Sequence, residues 1–236
     1  MKLSIIIPVY NEEKTIGELL QKVNNQKLPK GLIKEIIVVD DGSSDLTQNI
    51  LKGYKNKMIK VFRHKENLGK GAAIRTGLEK VSGEICIIQD ADLEYDPQDY
   101  QRLLDPILKD QTQVVYGTRL INYPLKFWGQ EKTVLPLHLI ANRFLTLLTN
   151  ILYGSNLSDM ETGYKLFRKK VLENIVVNSR KFDFEAEITA KILRQGIKIV
   201  EVPIKCKPRT YNEGKKISWK DGVSAIWTLF RYRLID

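Results

Sequence analysis

Apolar positions along the first half of the chain fall alternately into short unbroken runs and into stretches of helical period. Leu3 to Val9 is an Ile-rich run and reads as a buried strand. Glu12 to Asn25 then places Ile16, Leu19, Leu20 and Val23 on one helical face. The alternation continues with a strand over Glu35 to Val39, a helix from about Asp45 to Tyr54 and a strand over Ile59 to Phe62. A helix over Ala72 to Val81, a strand over Ile85 to Ile88, a helix over Gln98 to Leu108 and a strand over Val114 to Tyr116 complete this half. Such alternation predicts an α/β fold with a mainly parallel central sheet and helices on both faces.

The second half is less regular. Residues 122–132 read as a loop. Val134 to Leu152 carries a wide apolar helical face, interrupted by His138, Asn142, Arg143, Thr146, Thr149 and Asn150, so it is not a membrane span. A short strand over Thr162 to Phe167, a helix over Phe184 to Arg194 and a strand over Ile197 to Ile204 follow. Arg209 to Ser218 is a polar, basic loop, and a last helix from about Lys220 stacks Val223, Ile226, Trp227, Phe230 and Leu234. No linker composition separates the halves. The expectation is one domain over 1–236, with a nucleotide half (1–120) and an acceptor half (121–236).

The candidate chemistry lies at the strand ends, where open α/β sheets bind their ligands. Asp90-Ala91-Asp92 follows the fourth strand, and residues i and i+2 of an extended chain point the same way. Glu94 continues that register if the chain stays extended. Clustered carboxylates need neutralising, and Mg²⁺ or Mn²⁺ shared with phosphate oxygens does so. Tyr10 and Glu12 after strand one could hold a nucleobase and ribose, while Asn11 could cap the next helix. Asp40 and Asp41 after strand two offer acceptors to a ribose or base, and Asn67-Leu68-Gly69-Lys70-Gly71 could bring backbone amides and Lys70 to an anion. Each segment also has a plain reading as a turn or helix cap. The chain lacks the phosphate-loop pattern Gly-x-x-x-x-Gly-Lys-Ser/Thr and has no Gly-x-Gly-x-x-Gly after strand one. That argues against a nucleoside triphosphatase and against a dinucleotide-dependent oxidoreductase.

A net charge of +10 points to a polyanionic partner: nucleic acid, an anionic membrane or phosphorylated substrates. No nucleic-acid-binding motif accompanies the basic segments, so no nucleic-acid partner is expected. Cys86 and Cys206 imply no disulfide framework, which fits a reducing cytosol. Nothing before the first strand reads as a signal peptide.

Four segments in register carry a family resemblance: Ile5-Ile6-Ile7-Pro8-Val9-Tyr10-Asn11-Glu12, Val38-Val39-Asp40-Asp41-Gly42-Ser43-Ser44-Asp45, Asn67-Leu68-Gly69-Lys70-Gly71 and Gln89-Asp90-Ala91-Asp92. Together they resemble the family-2 glycosyltransferases with their GT-A nucleotide-sugar-binding fold. The resemblance implies that Pro8, Tyr10, Glu12 and Asp40 contact the nucleoside, and that Asp90 and Asp92 flank a metal and the diphosphate, with Glu94 completing the metal site. Three later segments, Tyr116-Gly117-Thr118-Arg119, Asp159-Met160-Glu161-Thr162-Gly163-Tyr164-Lys165 and Arg209-Thr210-Tyr211-Asn212-Glu213-Gly214-Lys215-Lys216, look like the dolichyl-phosphate mannose synthase branch.

That branch implies inverting transfer of a hexose, first of all mannose from GDP-mannose, to a polyprenyl phosphate. Arg119 would meet the acceptor phosphate, and Arg209 with Lys215 would hold the donor diphosphate. Lys132 and His138 stand where relatives often carry an arginine. A lipid acceptor also implies peripheral attachment to the cytoplasmic face of a membrane. The Val134 to Leu152 helix, Lys126, Phe127, Trp128, Lys132, Trp227, Arg231 and Arg233 are the groups suited to it. The alternative is a hydroxyl-directed glycosyltransferase in polysaccharide or glycolipid synthesis, which would need Asp159 or Glu161 as a general base. A remote alternative, suggested by charge alone, is a non-enzymatic basic nucleic-acid-binding module.

Overall fold

The isoleucine-rich first run lies inside the sheet, where both of its faces are buried. A computed structural model describes residues 1–54, 56–121, 136–210, 214, 216 and 218–235. Strand β1 (Lys2–Val9) pairs in parallel with β2 (Ile33–Asp40) on one side and β4 (Ile85–Ile88) on the other. Strand β3 (Ile59–Arg63) lies outside β2, and β5 (Val114–Thr118), β6 (Lys165–Arg168) and β7 (Ile199–Pro203) extend the far side. The strand order is β3-β2-β1-β4-β6-β5-β7, and only β6 runs antiparallel to its neighbours.

Alternate residues of β1 feed two cores, as the strand period of two requires. Leu3, Ile5, Ile7 and Val9 pack with helices α1 (Ile16–Asn25) and α4 (Tyr100–Leu108). Ile6 packs on the other face with α3 (Lys70–Glu79) and α7 (Phe184–Arg194). A third cluster joins α5 (Pro136–Tyr153), α7 and α8 (Trp219–Leu234) through Leu145, Ala186, Ala190, Ala225 and Leu229. The remaining helices, α2 (Thr47–Gly53) and α6 (Lys169–Leu172), are short.

Several boundaries differ from the sequence expectation for local reasons. Helix α1 begins at Ile16 rather than Glu12, because Asn11 adopts a φ of 48° and the Glu12 amide donates to Thr47 Oγ1 instead of entering a helix. Asn11 therefore does not cap α1; its Oδ1 accepts from the Ser44 amide at 2.8 Å. Strand β6 begins at Lys165 rather than Thr162, and the fully buried Lys165 ammonium donates to the carbonyls of Met160 and Thr162. Those bonds hold the preceding residues in a turn. The predicted loop at 122–132, with Lys126, Phe127, Trp128 and Lys132, lies outside the described residues, as does Lys215.

Candidate active site

The C-terminal ends of β1, β2 and β4 open into a cavity of about 380 Å³. Pro8, Tyr10 and Glu12 reach it from β1, Asp41 from β2, and Asp90, Ala91, Asp92 and Glu94 from β4. Lys70 at the start of α3 lines it too, with Arg119 just after β5 and with Arg209 and Lys216 from the second half of the chain. Asp40 is not among the lining residues. Its buried carboxylate accepts from the Ser43 amide at 2.9 Å and pairs with Arg63 at 3.1 Å, which fixes the turn below.

The acids after β4 do not stay in extended register. Leu93 has a φ of 61°, so the chain turns between Asp92 and Glu94, and the Glu94 amide donates to Asp92 Oδ1 at 3.0 Å. The turn still delivers all three carboxylates to one cavity. Asp90 Oδ1 pairs with Lys70 Nζ at 2.8 Å, and the same ammonium meets Glu185 Oε1 at 2.8 Å. Burial alone would lower the Lys70 pKa, but Asp90 and Glu185 hold it well above the usual lysine range. Gly163 backs the site: a Cβ there would come within 2.2 Å of Asp90 Oδ2, so only glycine permits this approach.

Arg209 spans the acid cluster. Its guanidinium donates to both Glu12 oxygens at 3.0 and 3.1 Å and lies 3.4 Å from Asp92 Oδ2, while its amide donates to Glu94 Oε1 at 3.1 Å. Lys216 adds a second cation on Glu12 at 2.7 Å. Burial raises the Glu12 carboxyl, but hydrogen bonds from Arg209 and Lys216 outweigh it and the net shift is downward. Asp92 is the less compensated acid: burial, then Asp90 and Glu94, push it up to about 7 against the pull of Arg209. An acid destabilised in this way by its neighbours gains from an added cation.

Arg119 takes a different carboxylate, Asp159, as its ion-pair partner. It holds the buried Asp159 by two side-chain hydrogen bonds of 2.7 Å and a backbone bond of 2.9 Å, and Nη1 reaches Tyr95 Oη at 3.2 Å. Glu201 on β7 accepts the amides of Ser158 and Asp159, which fixes this loop to the sheet. Asp159 is thereby committed to Arg119. Glu161 lines the cavity with Oε1 unpaired among the described residues, and burial with the Glu185 charge pushes its carboxyl up to about 7.

Three amides of the Asn67 to Gly71 segment are taken up within the protein, although Asn67, Gly69 and Lys70 line the cavity. The amides of Leu68 and Gly69 donate to Asp41, and those of Gly71 and Ala72 to the carbonyls of Lys181 and Arg180. Of this segment, only the Lys70 ammonium carries positive charge to the cavity. Sequence reasoning missed Glu185, Lys181, Phe182 and Tyr95, which also line it. Glu185 reads in sequence only as a first-turn acid of α7, which favours a helix N-terminus on its own account.

Among the described residues no three acids, histidines or cysteines form a ready-made metal cage. The donor set fits Mg²⁺ or Mn²⁺ nonetheless: hard carboxylate oxygens on Asp90 and Asp92, with Asp92 short of positive charge. Mg²⁺ needs only one or two carboxylates when substrate phosphates supply other ligands.

Residues 4–176 match the family model described as Glycosyl transferase family 2. The chain is 29% identical over 250 residues to UDP-N-acetylglucosamine–dolichyl-phosphate N-acetylglucosaminyltransferase of Methanococcus voltae, covering 98% of this chain and 95% of that protein. It is 31% identical over 222 residues to dolichol-phosphate mannosyltransferase of Pyrococcus furiosus, covering 91% of this chain and 59% of that one. In fold it is similar to glucosyl-3-phosphoglycerate synthase from Mycobacterium tuberculosis, crystallised with Mg²⁺ and UDP. That match has a TM-score of 0.75 at 20% identity and covers 100% of this chain and 80% of that one.

Proposed function

The chain belongs to glycosyl transferase family 2, and from that premise we propose that it moves a hexose from a nucleoside diphosphate to the phosphate of a polyprenyl lipid. The observation that carries the reading is that two differently paired sets of cations line one cavity. Arg209 and Lys216 sit on the carboxylate of Glu12 beside Asp92, and a different arginine, locked onto the buried Asp159, lines the same cavity. The first set suits a nucleotide diphosphate with a divalent ion, and the second suits an anionic nucleophile. The names of the two curated relatives support a dolichyl-phosphate acceptor.

Pro8, Tyr10, Glu12 and Asp41 would meet the nucleoside, with Asp40 supporting the turn behind them. Asp90 and Asp92 would hold Mg²⁺ or Mn²⁺, with Glu94 beside them. The ion would neutralise charge developing on the leaving diphosphate. Arg209 would exchange its carboxylates for the donor diphosphate, joined by Lys215. Lys70 keeps Asp90 oriented. A phosphate monoester has its second pKa near ~6, so the acceptor is already anionic and needs no general base. Arg119 would position that phosphate, and Asp159 would keep the guanidinium plane fixed. Direct displacement at the anomeric carbon inverts its configuration.

The lipid acceptor brings the enzyme to a membrane surface. Leu137, Ile140, Phe144, Leu147 and Ile151 recur at helical spacing on α5 and are all exposed, as are Trp219, Val223, Trp227 and Leu234 on α8. No described helix is long and apolar enough to cross a membrane. We read these stripes as an interfacial surface, with Arg231 and Arg233 at the headgroups. A hydroxyl-directed reaction is the second reading, and the observation favouring it is Glu161, whose raised carboxyl could act as a base where the committed Asp159 could not.

A panel of nucleotide sugars, GDP-mannose first, incubated with Mg²⁺ or Mn²⁺ and polyprenyl phosphate tests the reading. Sugar should enter the organic-extractable fraction, and chelation of the metal should abolish it. Transfer only to water-soluble hydroxyl acceptors would favour the second reading.

A further inference from the structure

A second groove, of about 460 Å³, lies between residues 178–183 and α8. Arg180, Lys181, Lys220 and Arg231 line it, with two acids, Asp183 and Asp221. Both acids are engaged locally: Asp183 accepts from the Lys181 amide, and Asp221 closes the capping box of α8 with Ser218. Among the described residues, the side chains of Arg180, Lys181 and Lys220 make no hydrogen bond or ion pair. With Arg231, four basic side chains against two acids give the groove an excess of positive charge, which favours an anion.

The walls are built rather than incidental. Glu187, fully buried, accepts from the amides of Asn178 and Ser179 at 2.8 and 2.6 Å and from Tyr232 Oη on α8 at 2.8 Å. One carboxylate therefore ties both sides of the groove together. The carbonyls of Arg180 and Lys181 are fastened to the start of α3. Lys181 lines the groove and the catalytic cavity alike. Trp227, 63% exposed and on the apolar stripe of α8, lines the groove as well.

We propose that this groove seats the phosphate headgroup of the lipid acceptor on its way to the catalytic cavity, with the hydrocarbon chain along the exposed face of α8. The proposal rests on the lipid-phosphate reading and adds to it a binding site distinct from Arg119. Cations line the groove, Trp227 of the apolar face borders it, and Lys181 is common to it and the catalytic cavity.

The test uses the full chain and geranyl phosphate as a short, soluble isoprenyl monophosphate. Calorimetry without donor should show binding that the double variant Arg180→Gln/Lys220→Gln weakens about tenfold, the equivalent of ~1.4 kcal/mol. Both side chains are exposed and unpaired, so the fold should persist, and the donor KM and the kcat at saturating acceptor should stay as in the wild type. A second arm compares flotation with vesicles of equal charge containing polyprenyl phosphate or phosphatidylglycerol. Preferential loss of the polyprenyl phosphate vesicles supports the proposal. Equal geranyl phosphate affinity in wild type and variant, or no binding by the wild type, overturns it. So does equal loss of both vesicle types with geranyl phosphate affinity retained, which would make the groove a general anionic-lipid contact. If the variant loses geranyl phosphate but the wild type transfers no sugar to any polyprenyl phosphate, the groove stands and the proposed reaction falls.

Discussion

Arg119 grips Asp159 through two parallel hydrogen bonds, Nε to Oδ2 and Nη2 to Oδ1, each 2.7 Å, with the carboxylate fully out of solvent. A lysine cannot make that fork. Arg119→Lys should therefore lower kcat/KM for the acceptor about 100-fold, since a displaced positioning group costs that much, while donor affinity is unchanged. Arg119→Ala leaves a buried charge unpaired and should destabilise the fold by about 3 kcal/mol in urea titrations. Equal acceptor kinetics in wild type and Arg119→Lys would remove Arg119 from the site.

Gly163 gives a test of the acid cluster that alters no charge. Its missing Cβ leaves room for Asp90 Oδ2, 2.2 Å from where that carbon would lie. Gly163→Ala should push Asp90 away from Lys70 and cut turnover at least tenfold, an effect of ~1.4 kcal/mol on the barrier. Circular dichroism should remain that of the wild type. Unaltered turnover would mean that Asp90 does not need its present position.

Glu35 predicts how stability responds to acid. Burial raises its carboxyl, but hydrogen bonds from Ser4 and Ser82 and then Lys60 bring it down to about 2. A carboxyl lowered in the folded state stabilises above its unfolded pKa and loses that contribution as pH falls through the folded value. Stability should thus decline between about pH 4.5 and 2. Glu35→Gln should cost about 2 kcal/mol at pH 7 and converge with the wild type near the acid end of that window. Parallel pH profiles for the two proteins would contradict this.

The apolar stripe of α5 predicts membrane contact. Leu147 and Ile151 are 57% and 70% exposed, so Leu147→Glu/Ile151→Glu should leave the melting temperature in place yet abolish flotation with anionic vesicles. Wild-type flotation should fall with salt, as each basic group contributes roughly 1 kcal/mol near such a surface. Flotation unaffected by the two charges would place the contact elsewhere.

The strands and most helices were legible in the sequence because their hydrophobic periods agree with their final burial. β1 and β2 are apolar runs buried on both faces, and α1 shows its four core residues at helical spacing. The direction of β6 was not legible, because a strand's sequence does not say which way its neighbours run. In the site, the acids after β4 announced themselves by clustering, whereas the turn at Leu93 did not, since positive φ at a leucine has no sequence signal. Asp40 and Asp41 looked alike as a pair. Both are buried, and only the fold separates them, pairing Asp40 with Arg63 and turning Asp41 toward the Leu68 and Gly69 amides. Glu185 and Lys181 come from segments more than 90 residues after Asp90, and no local pattern links them to it.

The central claim is that the nucleophile is a lipid phosphate, and ³¹P nuclear magnetic resonance of the acceptor reads this directly. With donor sugar, Mg²⁺ or Mn²⁺ and enzyme, the monoester signal of the polyprenyl phosphate should give way to a phosphodiester signal. The product should no longer titrate near pH ~6, because the second ionisation is gone. Asp92→Asn should slow this conversion by about 100-fold or more, as loss of a transition-state charge stabiliser does. A monoester that keeps its titration while the sugar appears on a hydroxyl would contradict the account.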